Sequence, residues 1–272
     1  MKRNQRHSRP RYGRGEAKTG YGDDVMATGM AAGAAARGKR IAFGDRHKII
    51  WGPWSAEIFR GNPNIAKPGM EYAEGIEWVN YYKGNRLYNR AGHGKWVWNM
   101  EFRPSPGEIY FDDRERQFAG TIDEGFVLIE PNVPWNKSVA PNKDWGLAKY
   151  QAVADELSAW GYEVAQFSHG RDRLKDVKVI DAVSFRLALA ALSRAGMAIL
   201  PEGGLHHGAA ALKVPAVVIF GGFIPPQVTG YPMHKNLTGG ADACGSWQPC
   251  QHCRHAMDTI TVDHVLEATG LL

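Results

Sequence analysis

The 272-residue chain has little cysteine. There are three, Cys244, Cys250 and Cys253, all within ten positions. An odd, clustered set is not the framework of a disulfide-stapled secreted domain. Long apolar runs are missing too: none approaches the roughly 18 residues that cross a bilayer. No apolar stretch follows the basic start, so neither a membrane span nor a secretory signal is expected, and a cytoplasmic location follows as the expectation. Acids are almost absent at the start. Lys2, Arg3, Arg6, Arg9, Arg11, Arg14 and Lys18 face only Glu16 before residue 20. Residues 1–19 read as a flexible, solvated basic arm, with phosphate-gripping as the sharper alternative.

The remainder is that of a globular protein, 44% apolar and 22% charged, with a net charge of +5. From Gly125 onward strands and helices alternate. Apolar runs at Phe126–Ile129, Tyr162–Phe167, Val177–Ile180, Met197–Leu200 and Ala216–Phe220 read as buried strands. Helices are expected at 143–160, 184–194, 205–212 and 262–269. This cadence predicts right-handed crossovers and a parallel α/β sheet, with ligands at the carboxyl ends of its strands. Upstream, a Gly-rich turn at Gly20–Asp23 leads into an Ala-rich helix over 24–37 and a strand at 39–43. Residues 44–120 are rich in tryptophan and glycine, with strand-like pieces at 75–82, 95–102 and 108–111. Asp112-Asp113 reads as a solvated turn. The organisation expected is an arm (1–19), a reduced N-terminal domain (20–122) and a C-terminal domain (123–272).

The turn after Leu200 carries the strongest chemical signal. Gly203 and Gly204 open a helix whose first N–H groups, aided by the helix dipole, can hold phosphate. Glu202 at the same mouth can accept hydrogen bonds from sugar hydroxyls, and His206 and His207 lie in the first turn. The bland alternative is a strand–turn–helix packed tightly by small residues.

The segment Glu202-Gly203-Gly204-Leu205-His206-His207-Gly208-Ala209-Ala210-Ala211-Leu212 resembles the signature of glycosyltransferase family nine, the heptosyltransferase-like enzymes of lipopolysaccharide assembly. The family's acid there is Asp rather than Glu. Three further segments match in order. Gly20-Tyr21-Gly22-Asp23-Asp24 resembles the opening loop. Lys143-Asp144-Trp145, with Glu130-Pro131-Asn132 before it, resembles the donor-side turn. Cys244…Cys250…Cys253…Ile260-Thr-Val resembles the tail. The likeness is to a short, divergent, phage-like member.

The resemblance implies a GT-B-like fold of two Rossmann-like halves, the N-terminal one reduced, and an inverting sugar transfer from a nucleotide-diphosphate sugar. It implies Asp23 as the catalytic base, with Gly20, Gly22 and Asp24 in the acceptor-side loop. Lys143, Asn132, Glu202, Gly203, Gly204, Leu205 and His207 would hold the donor. No cofactor or metal is expected: the five-then-two spacing of the cysteines is loose for a zinc site. The acceptor implied is a saccharide or lipopolysaccharide-type glycan. The basic arm and the run Trp96–Phe102 raise a second acceptor, hydroxylated bases of phage DNA. A non-catalytic nucleotide-sugar or carbohydrate-binding protein is the alternative of another class. Residues 8–19 cannot form the apolar first strand that normally precedes the opening loop, and the sheet edge this leaves suggests a homodimer.

Overall fold

The structure, a computed structural model, describes residues 20–82 and 85–271. The basic arm, and with it the expectation of a phosphate grip by residues 1–19, lies outside the described residues.

The N-terminal half is small. Helix α1 (Tyr21–Ala35) leads to strand β1 (Arg40–Phe43), a short helix α2 (Ser55–Ile58), and strand β2 (Ile76–Val79). β1 and β2 pair in parallel, with Ile65 bridging to Ile41 on the other side of β1. Strands β3 (Asn89–Ala91) and β4 (Trp96–Trp98) form an antiparallel hairpin, and helix α3 (Asp113–Ala119) closes the half. Its strands form two separate two-stranded sheets. The expected strand at 108–111 does not form. Asp112-Asp113 is not a free turn but the capped start of α3: Asp112 Oδ1 accepts from Glu115 N at 2.9 Å, and Glu115 Oε2 accepts from Asp112 N at 2.9 Å. This reciprocal pair satisfies two otherwise orphaned N–H groups.

The C-terminal half contains β5 (Val127–Ile129), α4 (Leu147–Ala159), β6 (Val164–Phe167), β7 (Lys178–Ile180), α5 (Phe185–Leu192), β8 (Met197–Pro201), α6 (Gly204–Ala211), β9 (Ala216–Ile219), α7 (Pro226–Thr229), β10 (Lys235–Leu237), α8 (Gln251–Thr259) and α9 (Val262–Thr269). Its six strands are all parallel, in the order β10-β9-β8-β5-β6-β7. The order reverses between β5 and β8, so the turns after Ile129 and Pro201 flank the switch point where such sheets bind ligands. The central strands are buried on both faces, which is why they read as continuous apolar runs. Leu128, Ala198, Leu200 and Val218 face α1, α5 and α6. Val127, Ile129, Ile199, Val217 and Ile219 face α4 and α9. The α/β parallel-sheet architecture is the one expected.

Helix α4 starts at Leu147, not at 143. Residues Ala140–Asn142 form a 3-10 turn, and Gly146, at φ +100°, breaks the chain before the helix begins. Lys143 therefore sits in a fixed bend ahead of the helix. Three segments of this half without clear periodicity also form elements, α7, β10 and α8.

Arg186 ties the halves together. It is 1% exposed, rises from α5, and pairs with Glu115 of α3 through Nε at 2.5 Å and Nη2 at 2.6 Å. Its Nη1 donates to the carbonyl of Glu57 in α2 at 3.2 Å. A buried carboxylate is stabilised by such a two-pronged guanidinium contact.

Candidate functional site

The two halves meet where α1 packs along α6, with both N-termini at the same end. A β-carbon on Gly22 would stand 2.8 Å from His207 Cδ2 and 3.3 Å from Gly204 Cα. Glycine is required at position 22 for α1 and α6 to start this close, whereas a β-carbon on Gly204 would crowd the Phe185 ring at 3.2 Å. Both termini carry the positive end of a helix dipole, so anionic groups are favoured where they converge.

On the N-terminal side, Asp23 is 9% exposed in the first turn of α1. Its Oδ2 accepts from Gly20 N at 2.9 Å. Its Oδ1 accepts from the Tyr88 hydroxyl at 2.6 Å and lies 3.1 Å from Arg86 Nε. Tyr81 donates to the Asp23 carbonyl at 3.0 Å. Burial, then the charge of Asp23, push both tyrosines well above the ordinary phenol range, so both stay protonated donors. Asp24 points the other way. Its Oδ1 accepts from Ser55 Oγ at 3.2 Å, and its Oδ2 is buried without a protein partner. Burial, then the neighbouring Asp23, raise the Asp24 carboxyl to about 7. The two adjacent acids are thus in opposite environments, one held by donors and one desolvated.

On the C-terminal side, Lys143 forms an ion pair with Glu202, and its Nζ lies 5.2 Å from the centre of the Phe223 ring. Burial would raise the Glu202 carboxyl, but Lys143 beside it holds it below the ordinary range. His206 is fully committed. Its Nδ1 accepts from Gly203 N at 3.0 Å, and its Nε2 donates to the Thr229 carbonyl at 2.8 Å. That leaves the N–H groups of Gly204 and Leu205, rather than Gly203, to face a ligand at this helix start. His207 Nδ1 lies 2.8 Å from the Tyr231 hydroxyl and its Nε2 lies 4.0 Å from Glu202 Oε1. Burial, then His206 and Lys143, push His207 well below the ordinary imidazole range. The Tyr231 hydroxyl and the Glu202 carboxylate thus flank the two ring nitrogens of His207. Glu202, His206 and His207 converge closely enough to suggest a metal. Both nitrogens of His206 and the carboxylate of Glu202 are already engaged within the protein.

Asn132 does not face this cluster directly. Its Oδ1 accepts from Arg171 N and Asp172 N at 2.8 Å each, and its Nδ2 donates to Glu130 Oε1 at 2.5 Å. It fixes the turn at the end of β5. Glu130 is 2% exposed, and burial raises its carboxyl to about 7.

Three groups escape a reading of the sequence. Arg86 and Tyr88 reach Asp23 from 63 and more positions away, which no local pattern reveals. Lys137 comes from the loop after β5 and crosses to α1: its Nζ would lie 3.4 Å from a β-carbon on Gly20. Desolvation at the cleft, then the charge of Lys143, lower the Lys137 ammonium. Its position three residues after Pro134, in a turn ending a strand at the switch point, was the only available signal.

Arg86, Lys137, Lys143 and two helix starts therefore gather where the two halves meet, with Asp23 and Glu202 as the embedded carboxylates. Such a grouping suits a polyanion carrying hydroxyl groups. The sequence model of glycosyltransferase family 9 (heptosyltransferase) matches residues 97–262. The chain belongs to glycosyltransferase family 9. Among solved structures, E. coli ADP-heptose lipopolysaccharide heptosyltransferase II aligns with 64% of this chain and 53% of its own, at 18% identity and a TM-score of 0.46. A family 9 glycosyl transferase from Veillonella parvula aligns with 61% of this chain and 53% of its own, at 16% identity and a TM-score of 0.46. E. coli heptosyltransferase WaaC with ADP-2-deoxy-2-fluoro heptose aligns with 90% of this chain and 70% of its own, at 14% identity and a TM-score of 0.44. The chain spans about half the length of the first two structures. No curated protein matches it. Among the described residues no helix is long and apolar enough to cross a membrane.

Proposed function

We propose that this protein transfers a sugar from a nucleotide-diphosphate sugar to a hydroxyl acceptor, with inversion at the anomeric carbon. The observation that carries the reading is that Asp23, at the start of α1, and the Lys143–Glu202 pair, beside the start of α6, gather around Lys137. A carboxylate offers about four lone-pair sites. On Asp23, Oδ1 accepts from Tyr88 and Oδ2 from Gly20 N, while Arg86 Nε, 3.1 Å from Oδ1, pairs with it as a charge without hydrogen-bond geometry. The remaining site on Oδ2 is the one that can take the acceptor's proton. In the single displacement, that oxygen takes the hydroxyl proton as the acceptor oxygen bonds to C1. The bond from C1 to the diphosphate oxygen breaks, and its electron pair leaves with the nucleoside diphosphate.

Lys143, Lys137, Arg86 and the free N–H groups of Gly204 and Leu205 would offset the charge that builds on the departing diphosphate. Glu202 would accept hydrogen bonds from sugar hydroxyls while keeping Lys143 in place. His207, neutral, would supply a hydrogen bond rather than a charge. This chemistry is complete without a metal ion or other cofactor.

The acceptor is proposed to be a saccharide. One observation favours the second acceptor class, hydroxylated bases of DNA. A cavity of about 580 Å³ behind α2 is lined by Arg40, Arg60 and Lys67 around Trp51 and Phe59. Cations beside aromatic faces suit phosphates and bases. DNA binding that weakens steeply with salt and is lost when residues 1–19 are deleted would support that acceptor.

The donor half of the proposal is tested by thermal shift against nucleoside diphosphates and their sugar conjugates. A ligand at about a hundred times its Kd adds ~2.7 kcal/mol. That raises Tm by several degrees at this chain length. A shift with one nucleotide supports the proposal and names the base. No shift with any of them overturns it in favour of a binding protein for another ligand.

A further inference from the structure

One edge of β1 has no full strand beside it. Residues 62–66 run along that edge but form only an isolated bridge, Ile65 to Ile41. Gly61, at φ +76°, turns the chain from the end of α2 into this segment, and a β-carbon there would stand 3.2 Å from Tyr110 Cβ. The cavity of about 580 Å³ behind α2 opens between the two. It is separate from the groups around Asp23. Ser55 of α2 bonds to Asp24, whereas the next residue, Ala56, lines the cavity. Every lining residue falls within 40–70, ahead of the family-matched residues 97–262.

Arg40, Arg60 and Lys67 line this cavity, and no acid does. Arg40 Nε donates to the Pro63 carbonyl at 3.0 Å, which fixes the guanidinium and leaves its two outer nitrogens for a ligand. Lys67 is exposed, and among the described residues neither it nor Arg40 has a carboxylate partner. Arg60 is compensated: its Nη1 lies 3.0 Å from Asp112 Oδ2 and 3.7 Å from Glu115 Oε1. The cations of Arg40 and Lys67 are therefore left to be balanced. A phosphomonoester carries about −1.5 to −2 charges at pH 7, and its oxygens match the guanidinium fork. A carboxylate, or a diester in a nucleic-acid chain, carries one charge and would balance only one of the two cations. Trp51 and Phe59 supply an apolar wall, meeting edge to face with 5.4 Å between ring centroids. The indole Nε1 of Trp51 is buried and has no acceptor, a state that native structures seldom leave unanswered.

We propose that this cavity is a second ligand site, and that it takes a phosphomonoester carried on a ring, either a nucleoside monophosphate or a sugar phosphate. Arg40 and Lys67 hold the phosphate, with Arg60 at its edge. The ring lies against Trp51, whose indole N–H donates to a ligand oxygen. The volume falls within the roughly 300–1,000 Å³ of small-molecule sites. The site touches none of the reacting groups. It is joined to them through α2, where Ser55 bonds Asp24 and Glu57 accepts from the Tyr21 hydroxyl at 3.1 Å. Binding here is independent of the sugar-transfer reading.

The test is calorimetric titration of the full-length protein with adenosine 5′-monophosphate and with glucose 6-phosphate, each beside its unphosphorylated parent. At least one phosphate ester should bind and neither parent should. Tighter binding of the adenosine compound assigns the site to nucleotides, and tighter binding of the glucose compound to sugar phosphates. Arg40→Gln and Lys67→Gln should each weaken binding by roughly tenfold or more. Lys67→Gln, at an exposed position, should leave Tm unchanged, and any thermal shift with nucleoside diphosphate should survive it. Trp51→Phe, which keeps a ring but loses the N–H, should weaken binding less than either. Failure of both esters to bind at millimolar concentration would overturn the site. So would binding that persists in both cation variants but is lost in Lys143→Met with Glu202→Gln, which would place the ligand beside Lys143 instead. Binding of single-stranded oligonucleotides alone, with both esters inert, would overturn the monoester site in favour of the DNA reading.

Discussion

A β-carbon on Gly22 would stand 3.3 Å from the Cα of Gly204, and that closeness joins the two halves of the cleft. The same β-carbon would come within 2.8 Å of the His207 ring, which is packed against Tyr231 and His206 and has nowhere to move. Gly22→Ala is expected to push α1 from α6. The cost is that of an overpacked core, about 1–3 kcal/mol. Chemical denaturation should show it, and any nucleotide response should fall with it. A neutral substitution would mean that the helix starts do not need to touch.

Lys143 and Glu202 separate stability from binding. Lys143→Ala leaves a buried carboxylate without its partner, a loss of about 3–5 kcal/mol where no other cation replaces it. Lys137 lies close enough to offset part of that. The pair Lys143→Met with Glu202→Gln removes both charges and should recover most of the stability. It should still fail to bind nucleoside diphosphate. Recovery of binding with stability would show that Lys143 acts only as a structural counter-ion.

Arg186 makes a stability prediction far from the chemistry. Arg186→Ala leaves Glu115, 4% exposed, with only the half-exposed Arg60 guanidinium 3.7 Å away. The loss should be the roughly 3–5 kcal/mol of a broken buried pair, less the part that Arg60 offsets. Arg186→Met with Glu115→Gln should recover much of this. Denaturant midpoints check both, and an unchanged midpoint for Arg186→Ala would show that the clamp contributes nothing.

Asp24 gives a pH dependence with a definite sign. Its carboxyl is raised from 3.8 to about 7 in the folded chain, by burial and by Asp23. The folded state therefore holds a proton that the unfolded state releases above pH ~4. Stability falls as pH rises from about 4 to 7, then levels off. Glu130, also raised to about 7, acts in the same direction. Asp24→Asn should flatten this decline, gaining on the order of a few kcal/mol at pH 8 relative to pH 4. Equal stabilisation at both pH values would mean that Asp24 is ionised throughout.

The large elements of the C-terminal half were legible because central parallel strands are buried on both faces and must be apolar throughout. Phe126–Ile129, Met197–Leu200 and Ala216–Phe220 could hardly be anything else. α9 was legible from Thr261, whose hydroxyl caps it. The strand expected at 108–111 failed because Ile109 and Phe111 pack singly from an irregular segment, with no partner strand beside them. Asp112 was misread because a cap needs its third residue, Glu115, to be noticed. α8 was missed because its face toward the core is only Cys253, Ala256 and Met257. Asp23, Lys143 and residues 202–207 are singled out by a resemblance, and they lie near one another where α1 meets α6. Arg86, Tyr88 and Lys137 were not found, because their contribution arises only when the chain folds back on α1.

The central claim is that Asp23 takes the acceptor's proton. Once a donor is known from thermal shift, its turnover by the wild-type protein and by Asp23→Asn tests this most directly, with release of nucleoside diphosphate as the readout. Asn keeps the size of the side chain and its contact with Tyr88 but is not a base. The expected result is an unchanged donor-induced Tm shift with turnover reduced by about 10²–10⁴. Turnover at the wild-type rate with Asn at position 23 would contradict the account.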